Sequence, residues 1–367
     1  METQTKLIGP VFSLYLAPNS HQAQYKVMNK IAVVILNWNG KKLLEQFLPS
    51  VTQFSDRIWA EVIVADNASS DDSISFLEKE YPKLKTIILN KNYGFADGYN
   101  KALDQLDHDY FVLLNSDVEV SENWLDPIYE LFEKEADIVA AQPKIKAFNN
   151  KSKFEYAGAS GGYIDHLGYP FCRGRVFDTI EPDSGQYDQL TDVMWASGAA
   201  LFIRSEIYKK LGGLDGDFFA HMEEIDLCWR IKNRGFRIVC HPESVVYHVG
   251  GATLPNHSSR KLHLNFRNNL FMLFKNLPSE KLLTTLILRM ILDGVAGVKF
   301  LLSLEFDNFK ALLKAHYSFY ANLSKMREKR RILNPLATKE FHEEIYKGSI
   351  IADYFIQNKK RFSDLTF

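Results

Sequence analysis

Four times in the N-terminal part of the chain, a short apolar run ends in a polar loop and gives way to a helix-spaced segment, at intervals of roughly thirty residues. The runs are Ile31 to Leu36, Glu61 to Ala65, Thr86 to Leu89 and Tyr110 to Leu114. Each is of strand length and nearly continuous in apolar or β-branched residues, which predicts strands buried on both faces of a parallel sheet. Parallel neighbours need a crossover, and the intervening helical segments supply right-handed ones. An α/β fold follows, a mostly parallel, Rossmann-like sheet flanked by helices. In such sheets ligands gather outside the carboxyl ends of the strands.

Those ends are polar throughout: Asn37, Asp66, Asn92, Asn115 and Asp117. One polar tip is ordinary turn chemistry, but a whole edge of them predicts a polar cleft able to hold a base and a ribose. No GxGxxG follows the first strand, where Asn37-Trp38-Asn39-Gly40 stands instead, so a dinucleotide-binding Rossmann unit is excluded. The fourth strand runs into Asn115-Ser116-Asp117-Val118-Glu119. Carboxylates at Asp117 and Glu119 suit a hard cation such as Mg²⁺ or Mn²⁺, which could in turn hold a diphosphate. The plainer alternative is that Asp117 caps the helix expected from Glu122 to Glu135.

Residues 144 to 192 are rich in Gly and aromatics without helical period, and read as short strands and loops; Val193 to Arg204 reads as strand, turn, strand. The stretch from Phe218 to Arg230 reads as a helix running on to Asn233, with Glu223 and Glu224 at its first turn. There the helix dipole favours acids, and a rigid helix start can also hold a general base. Asp226 and Arg230 are spaced to pair. Two further strands, Arg237 to Cys240 and Ser244 to Tyr247, end at His248, a structural histidine or a third metal ligand.

The net charge of -1 hides an asymmetry, +9 between Arg260 and Arg331 against -10 elsewhere. The basic surface is therefore C-terminal. A mix of apolar faces and lysines over Leu282 to Tyr320, then Lys325 to Arg331 (KMREKRR), fits either contact with an anionic membrane surface or a helical subdomain packed on the core or on a second copy. No nucleic-acid partner is expected. Three cysteines without a CxxC pair point to a reducing, cytoplasmic setting, with attachment to the inner face of the membrane as an option. No window reaches the ~18 uninterrupted apolar residues of a membrane span. Residues 1 to 27 lack periodicity ahead of Met28 and are expected to be a disordered extension. A catalytic domain over residues 28 to 275 and a helical, basic region over 276 to 367 would complete the chain.

Taken together, Ile35-Leu36-Asn37-Trp38-Asn39, Val64-Ala65-Asp66-Asn67-Ala68-Ser69, Asn92-Tyr93-Gly94-Phe95-Ala96, Leu114-Asn115-Ser116-Asp117, Glu223-Glu224-Ile225-Asp226-Leu227-Cys228-Trp229-Arg230 and the late His248 resemble inverting glycosyltransferases of family 2, with the GT-A fold. The stretch from Lys261 to Phe274 is similar to the rhamnosyltransferase-like branch, whose acceptors are commonly lipid-linked glycans. The resemblance implies a nucleotide-diphosphate sugar donor, dTDP-rhamnose or a UDP-hexose. It places Asn37, Asn39, Asp66, Asn92, Gly94, Asn100, Asn115 and Ser116 on the nucleotide-sugar side, with Arg260 and Arg267 adding charge stabilisation. It gives Asp117 the metal with His248 as an additional ligand, and makes Glu224 the base with Glu223 as orienter. The chain departs from the common pattern in having Asn-Ser-Asp for Asn-Pro-Asp or Asp-x-Asp, and Glu-Glu for Glu-Asp. The first favours Asp117 over Glu119 as the ligand; the second leaves Glu223 and Glu224 both open as base. Rival readings are a sugar-nucleotide pyrophosphorylase and an inactive nucleotide- or glycan-binding module.

Overall fold

The computed structural model describes residues 30–250 and 258–367. The expected N-terminal extension, residues 1 to 27, lies outside the described residues. Strands β1 (Ile31–Asn37), β2 (Ala60–Asp66), β3 (Lys85–Ile88) and β4 (Tyr110–Asn115) are parallel, in the order β3-β2-β1-β4. Helices α1 (Lys41–Phe54), α2 (Ser73–Glu80) and α3 (Gly94–Leu103) cross between them. Alternation along β1 feeds two cores. Ala32 and Val34 pack with Tyr99 of α3, whereas Ile31, Val33 and Ile35 pack with Leu44 and Leu48 of α1. A strand covered on both faces needs the unbroken apolar run seen in the sequence.

Beyond β4 come β5 (Val118–Val120), α4 (Asp126–Lys134), β6 (Ile138–Ala147) and β7 (Asn150–Phe154). Next are the short strands β8 (Gly162–Asp165), β9 (Pro170–Cys172), β10 (Arg175–Val176), β11 (Thr179–Ile180) and β12 (Thr191–Asp192). Then follow β13 (Ala200–Arg204), α5 (Ser205–Lys210), α6 (Glu223–Lys232) and β14 (Arg237–His248). The main sheet runs β12-β14-β6-β13-β4-β1-β2-β3. It is more mixed than expected, because β13 lies antiparallel to both β4 and β6 and joins the parallel block β1 to β4 to the parallel pair β6 and β14. The two strands expected before His248 are one, β14, with an irregularity between His241 and Val245. Of the strand pair expected over 193–204 only the second half forms; Trp195 makes an isolated bridge to Gly162.

Helices α7 (Ser259–Asn276), α8 (Ser279–Leu302), α9 (Phe306–Ala321) and α10 (Leu323–Leu333) follow. The expectation of a helical region to the end of the chain needs correction beyond α10. There β15 (Ile345–Tyr346) pairs with β8 and completes a second sheet, β11-β10-β9-β8-β15, on which Phe362 and Phe367 pack tilted and edge-on against Tyr163. No segment-level periodicity announces a two-residue strand, so its pairing is a tertiary event. No helix among the described residues is long and apolar enough to cross a membrane.

Candidate active site

The tips of β1 and β2 are stapled together. Buried Asn37 donates through Nδ2 to Asp66 Oδ2 at 2.9 Å and to Ser69 Oγ at 3.2 Å, while its Oδ1 has no partner. Asp66 Oδ1 accepts from the Ser69 amide at 2.8 Å, and Asn39 Oδ1 from the Ser70 amide at 2.7 Å. The loop after β3 hangs on Asn67, which donates to Asn92 Oδ1 and the Gly94 carbonyl and accepts from the Tyr93 amide. Gly94, at φ 79°, begins α3 with the Phe219 ring 3.3 Å from where a Cβ would stand. Asn37, Asn39, Asp66, Asn92 and Gly94 are thus brought together on one sheet edge.

Asn100 and Arg267 are turned to another purpose. Asn100 donates to the Leu214 carbonyl at 2.7 Å and accepts from Tyr208 Oη and the Leu214 amide, so its amide holds the approach to α6 rather than facing the nucleotide side. Arg267 donates to Asn268 Oδ1 and to the carbonyls of Asp217 and Phe218. Arg260 is exposed, its guanidinium 5.2 Å from the centre of the Phe219 ring.

At the end of β4, the half-buried Asn115 and Ser116 lead into a turn that buries Asp117. Antiparallel pairing of β5 with β14 sets His248 opposite Val118. Its Nε2 then lies 3.2 Å from Asp117 Oδ1, and its Nδ1 lies 3.4 Å from Oε2 of Glu155, a residue just after β7. Burial disfavours the imidazolium, but the carboxylates on either side outweigh it and raise His248 to about 10. Glu155 carries no motif and was invisible in the sequence; only the β6–β7 hairpin delivers it. Glu119 does not join this cluster. It stands opposite Tyr247, and its carboxylate pairs with Lys151, whose ammonium is 4.1 Å from the Tyr247 ring centre. Asp117 precedes β5 in the turn while Glu119 lies within it, so the one-residue spacing does not put both acids on one ion.

Among the described residues no three His, Cys, Asp or Glu side chains are grouped to hold a metal ion. Asp117 offers a carboxylate and His248, once an ion displaces its extra proton, a ring nitrogen; their 3.2 Å separation is close to the ~3.0 Å edge between neighbouring ligands of an octahedral ion bound at ~2.1 Å. An ion that takes few protein ligands and completes its shell with phosphate oxygens and water fits that pair, as Mg²⁺ and Mn²⁺ do. Glu155 would orient the histidine from behind.

The acid pair begins α6. Phe219, His221 and Met222 just before it adopt φ of 67°, 69° and 72°, a left-handed conformation costing roughly 1–2 kcal/mol for each non-glycine residue. Neighbours hold the segment in place. Asn268 Nδ2 is within reach of the carbonyls of Phe218, Ala220 and His221, and Lys325 and Lys329 of α10 pair with Asp217 and Asp215. Asp226 anchors the helix itself, bound to Arg230 at 2.9 Å, Lys275 at 2.8 Å and Asn276 at 2.8 Å. Much of the basic C-terminal run is therefore spent inside the molecule, Arg330 included, which donates to the Phe274 carbonyl.

Two acids in this frame have an unpartnered oxygen, Glu223 Oε2 and Glu224 Oε2. Glu223 is buried, and burial followed by the neighbouring Glu224 charge holds its carboxyl well above the usual range. Burial pushes the half-buried Glu224 up to about 7 against hydrogen bonds from backbone amides. A Cβ at Gly198 would stand 3.7 Å from Glu224 Cβ, and the next residue, Ala199, accepts from the Asn115 amide at 3.0 Å. Glu224 therefore lies beside the start of β13, which pairs with the end of β4, two residues before Asp117. The arrangement offers a raised carboxyl at the start of α6, a candidate cation pair after β4 and a polar edge at the tips of β1 to β3.

A nucleotide-type α/β sheet ending in such a site defines a group-transfer enzyme. Residues 32–181 carry a domain that matches the family model described as "Glycosyl transferase family 2". The chain is 25% identical over 236 residues to the N-acetylglucosaminyl-diphospho-decaprenol L-rhamnosyltransferase of Mycobacterium tuberculosis, covering 59% of this chain and 75% of the relative. It is 20% identical over 258 residues to the low-salt glycan biosynthesis hexosyltransferase Agl10 of Haloferax volcanii, covering 69% and 78%. The structure of GalNAc-T7 with UDP, GalNAc and Mn²⁺ superimposes with a TM-score of 0.53 at 16% identity, over 69% of this chain and 49% of that one. That likeness concerns the fold, which is GT-A.

Proposed function

We propose that this glycosyltransferase moves a sugar from a nucleotide-diphosphate donor, dTDP-rhamnose or a UDP-hexose, to a hydroxyl of a glycan or lipid-linked acceptor, with inversion, in the synthesis of a cell-surface polysaccharide. The carrying observation is Glu224: a half-buried carboxyl with an unpartnered oxygen, raised to about 7 and packed against Gly198, beside the end of β13 that pairs with the tip of β4. Asn37, Asn39, Asp66 and Asn92 line the nucleotide edge, and Asp117 with His248 would hold Mg²⁺ or Mn²⁺. When bound, that ion supplies neutralisation of the charge developing on the diphosphate. Glu224 takes the proton of the acceptor hydroxyl as the oxygen bonds to the anomeric carbon, while the bond to the diphosphate breaks on the opposite face. Glu223, kept protonated by burial, orients the acceptor. The names of the relatives support the acceptor class, one being a diphospho-decaprenol rhamnosyltransferase and another serving glycan biosynthesis.

The setting we assign is the cytoplasm, at the inner face of the membrane, with a homodimer as an option. An inactive binding module has no use for a strained segment that holds an unpaired acid at neutral pKa. A pyrophosphorylase should carry a Gly-rich basic loop where Asn37-Trp38-Asn39-Gly40 stands. The test is release of nucleotide diphosphate from a panel of sugar nucleotides with Mn²⁺ and a polyprenyl-diphosphate sugar. Turnover with one donor family, giving an inverted linkage, is expected; retention of configuration, or no turnover with any donor, would overturn the reading.

A further inference from the structure

Helix α8 is inside out. The charged residues of its middle turns face inward: Arg289 pairs with Asp293 at 2.9 Å, donates to Asn269 and lies 3.7 Å from the Tyr169 ring centre, and Asp293 meets His316 at 3.1 Å. Its aliphatic residues face outward. Leu283, Ile287, Ile291, Val295, Val298 and Leu302 are 50% to 80% exposed and recur every three or four residues, along one stripe of the helix. Between Thr284 and Lys299 no exposed residue of α8 is polar or charged. An aqueous surface helix has the opposite arrangement, and a stripe about 28 Å long far exceeds scattered exposed leucines.

We infer that the outer face of α8 lies in the acyl boundary of a lipid bilayer, with the helix parallel to the membrane plane. It spans nothing, since no described helix is long and apolar enough to cross. The surroundings select lipid over a second copy. Protein interfaces centre on Trp, Tyr and Arg with polar groups between them, whereas this stripe is aliphatic throughout its centre. Its borders carry the exposed Tyr320, whose hydroxyl reaches Met290 Sδ, and the exposed Lys299, which makes no ion pair among the described residues. A tyrosine and a lysine at the headgroup level beside a buried aliphatic face fit the pattern of an interfacial helix, and the lysine complements lipid phosphates. This deepens, and takes its purpose from, the lipid-linked acceptor reading. It narrows the sequence expectation of a membrane-facing region over Leu282 to Arg331 to α8, because Lys325, Lys329 and Arg330 of the KMREKRR segment are engaged within the protein.

The experiment is flotation of the full chain with vesicles of phosphatidylcholine, alone or mixed with phosphatidylglycerol, at low and high salt. Binding to both vesicle types that survives high salt is expected, weakened about tenfold or more in the Ile287→Ser/Ile291→Ser/Val295→Ser variant. Metal-dependent sugar-nucleotide hydrolysis without vesicles should be unchanged in that variant, which separates a failure here from a failure of the transferase reading. A second readout is Ile291→Cys carrying an environment-sensitive dye, selective because Cys172, Cys228 and Cys240 are buried. A blue shift on adding vesicles is expected. Absence of vesicle binding, binding abolished by high salt, or a blue shift that needs only higher protein concentration and tracks dimer formation would overturn the inference.

Discussion

His248 Nε2 stands 3.2 Å from Asp117 Oδ1, with the other ring nitrogen turned to Glu155. The two partners lie far apart in sequence and meet because β5, three residues long, pairs with the end of β14. Strand pairing thus sets the spacing of the candidate metal donors, with the Glu155 carboxylate 3.4 Å from the other side of the histidine.

Glu155→Gln should therefore weaken metal-dependent nucleotide binding without touching a donor atom, by about 10- to 100-fold. Titration of nucleotide diphosphate at saturating and limiting Mn²⁺ checks this. An effect of equal size in the presence of chelator would show that Glu155 acts on the fold and not through the histidine.

With Glu224 raised to about 7, the transfer rate should climb as pH rises through neutrality and level off above it. Glu224→Gln should keep donor binding and lose transfer by about 10²- to 10⁴-fold. If Glu223→Gln abolishes transfer while Glu224→Gln does not, the two roles are exchanged.

The same shift has a cost in stability. The folded state holds the Glu224 proton more tightly than the unfolded chain, whose value is near 4.5. That stabilisation is complete below the unfolded value and lost as pH rises through about 7. Glu224→Gln should accordingly be more stable than wild type at about pH 8, by on the order of 1–3 kcal/mol, and no more stable at about pH 4. Urea unfolding at the two pH values measures the difference; a gain equal at both would count against burial of the charge.

Asp226→Ala removes a carboxylate buried against Arg230, Lys275 and Asn276, leaving two buried cations short of charge. A loss of about 3–5 kcal/mol is expected by chemical denaturation. A loss below about 1 kcal/mol would mean the network is solvated.

The parallel half of the sheet was legible because a strand covered on both faces must be apolar without interruption, as Ile31 to Ile35 are. The strand tips were legible because their residue types have few structural uses in such number. Glu155 was not, since a lone acid after a hairpin strand has no local signature, and neither were the inward turns of Asn100 and Arg267, whose partners are backbone carbonyls that any loop offers. Glu119 misled for a related reason: spacing along a chain says nothing about where a turn ends and a strand begins. The basic run near Arg331 read as a membrane surface or a packed subdomain, and two of its charges, Lys325 and Lys329, answer Asp215 and Asp217, more than a hundred residues earlier.

The most direct test of the central claim is calorimetric titration of dTDP and UDP into wild type and Asp117→Ala, each with Mn²⁺ and with chelator. Binding of one nucleotide to wild type that requires the metal and disappears in Asp117→Ala is the predicted result. Equal binding by both proteins, or binding indifferent to the metal, would contradict a donor site built on Asp117 and His248.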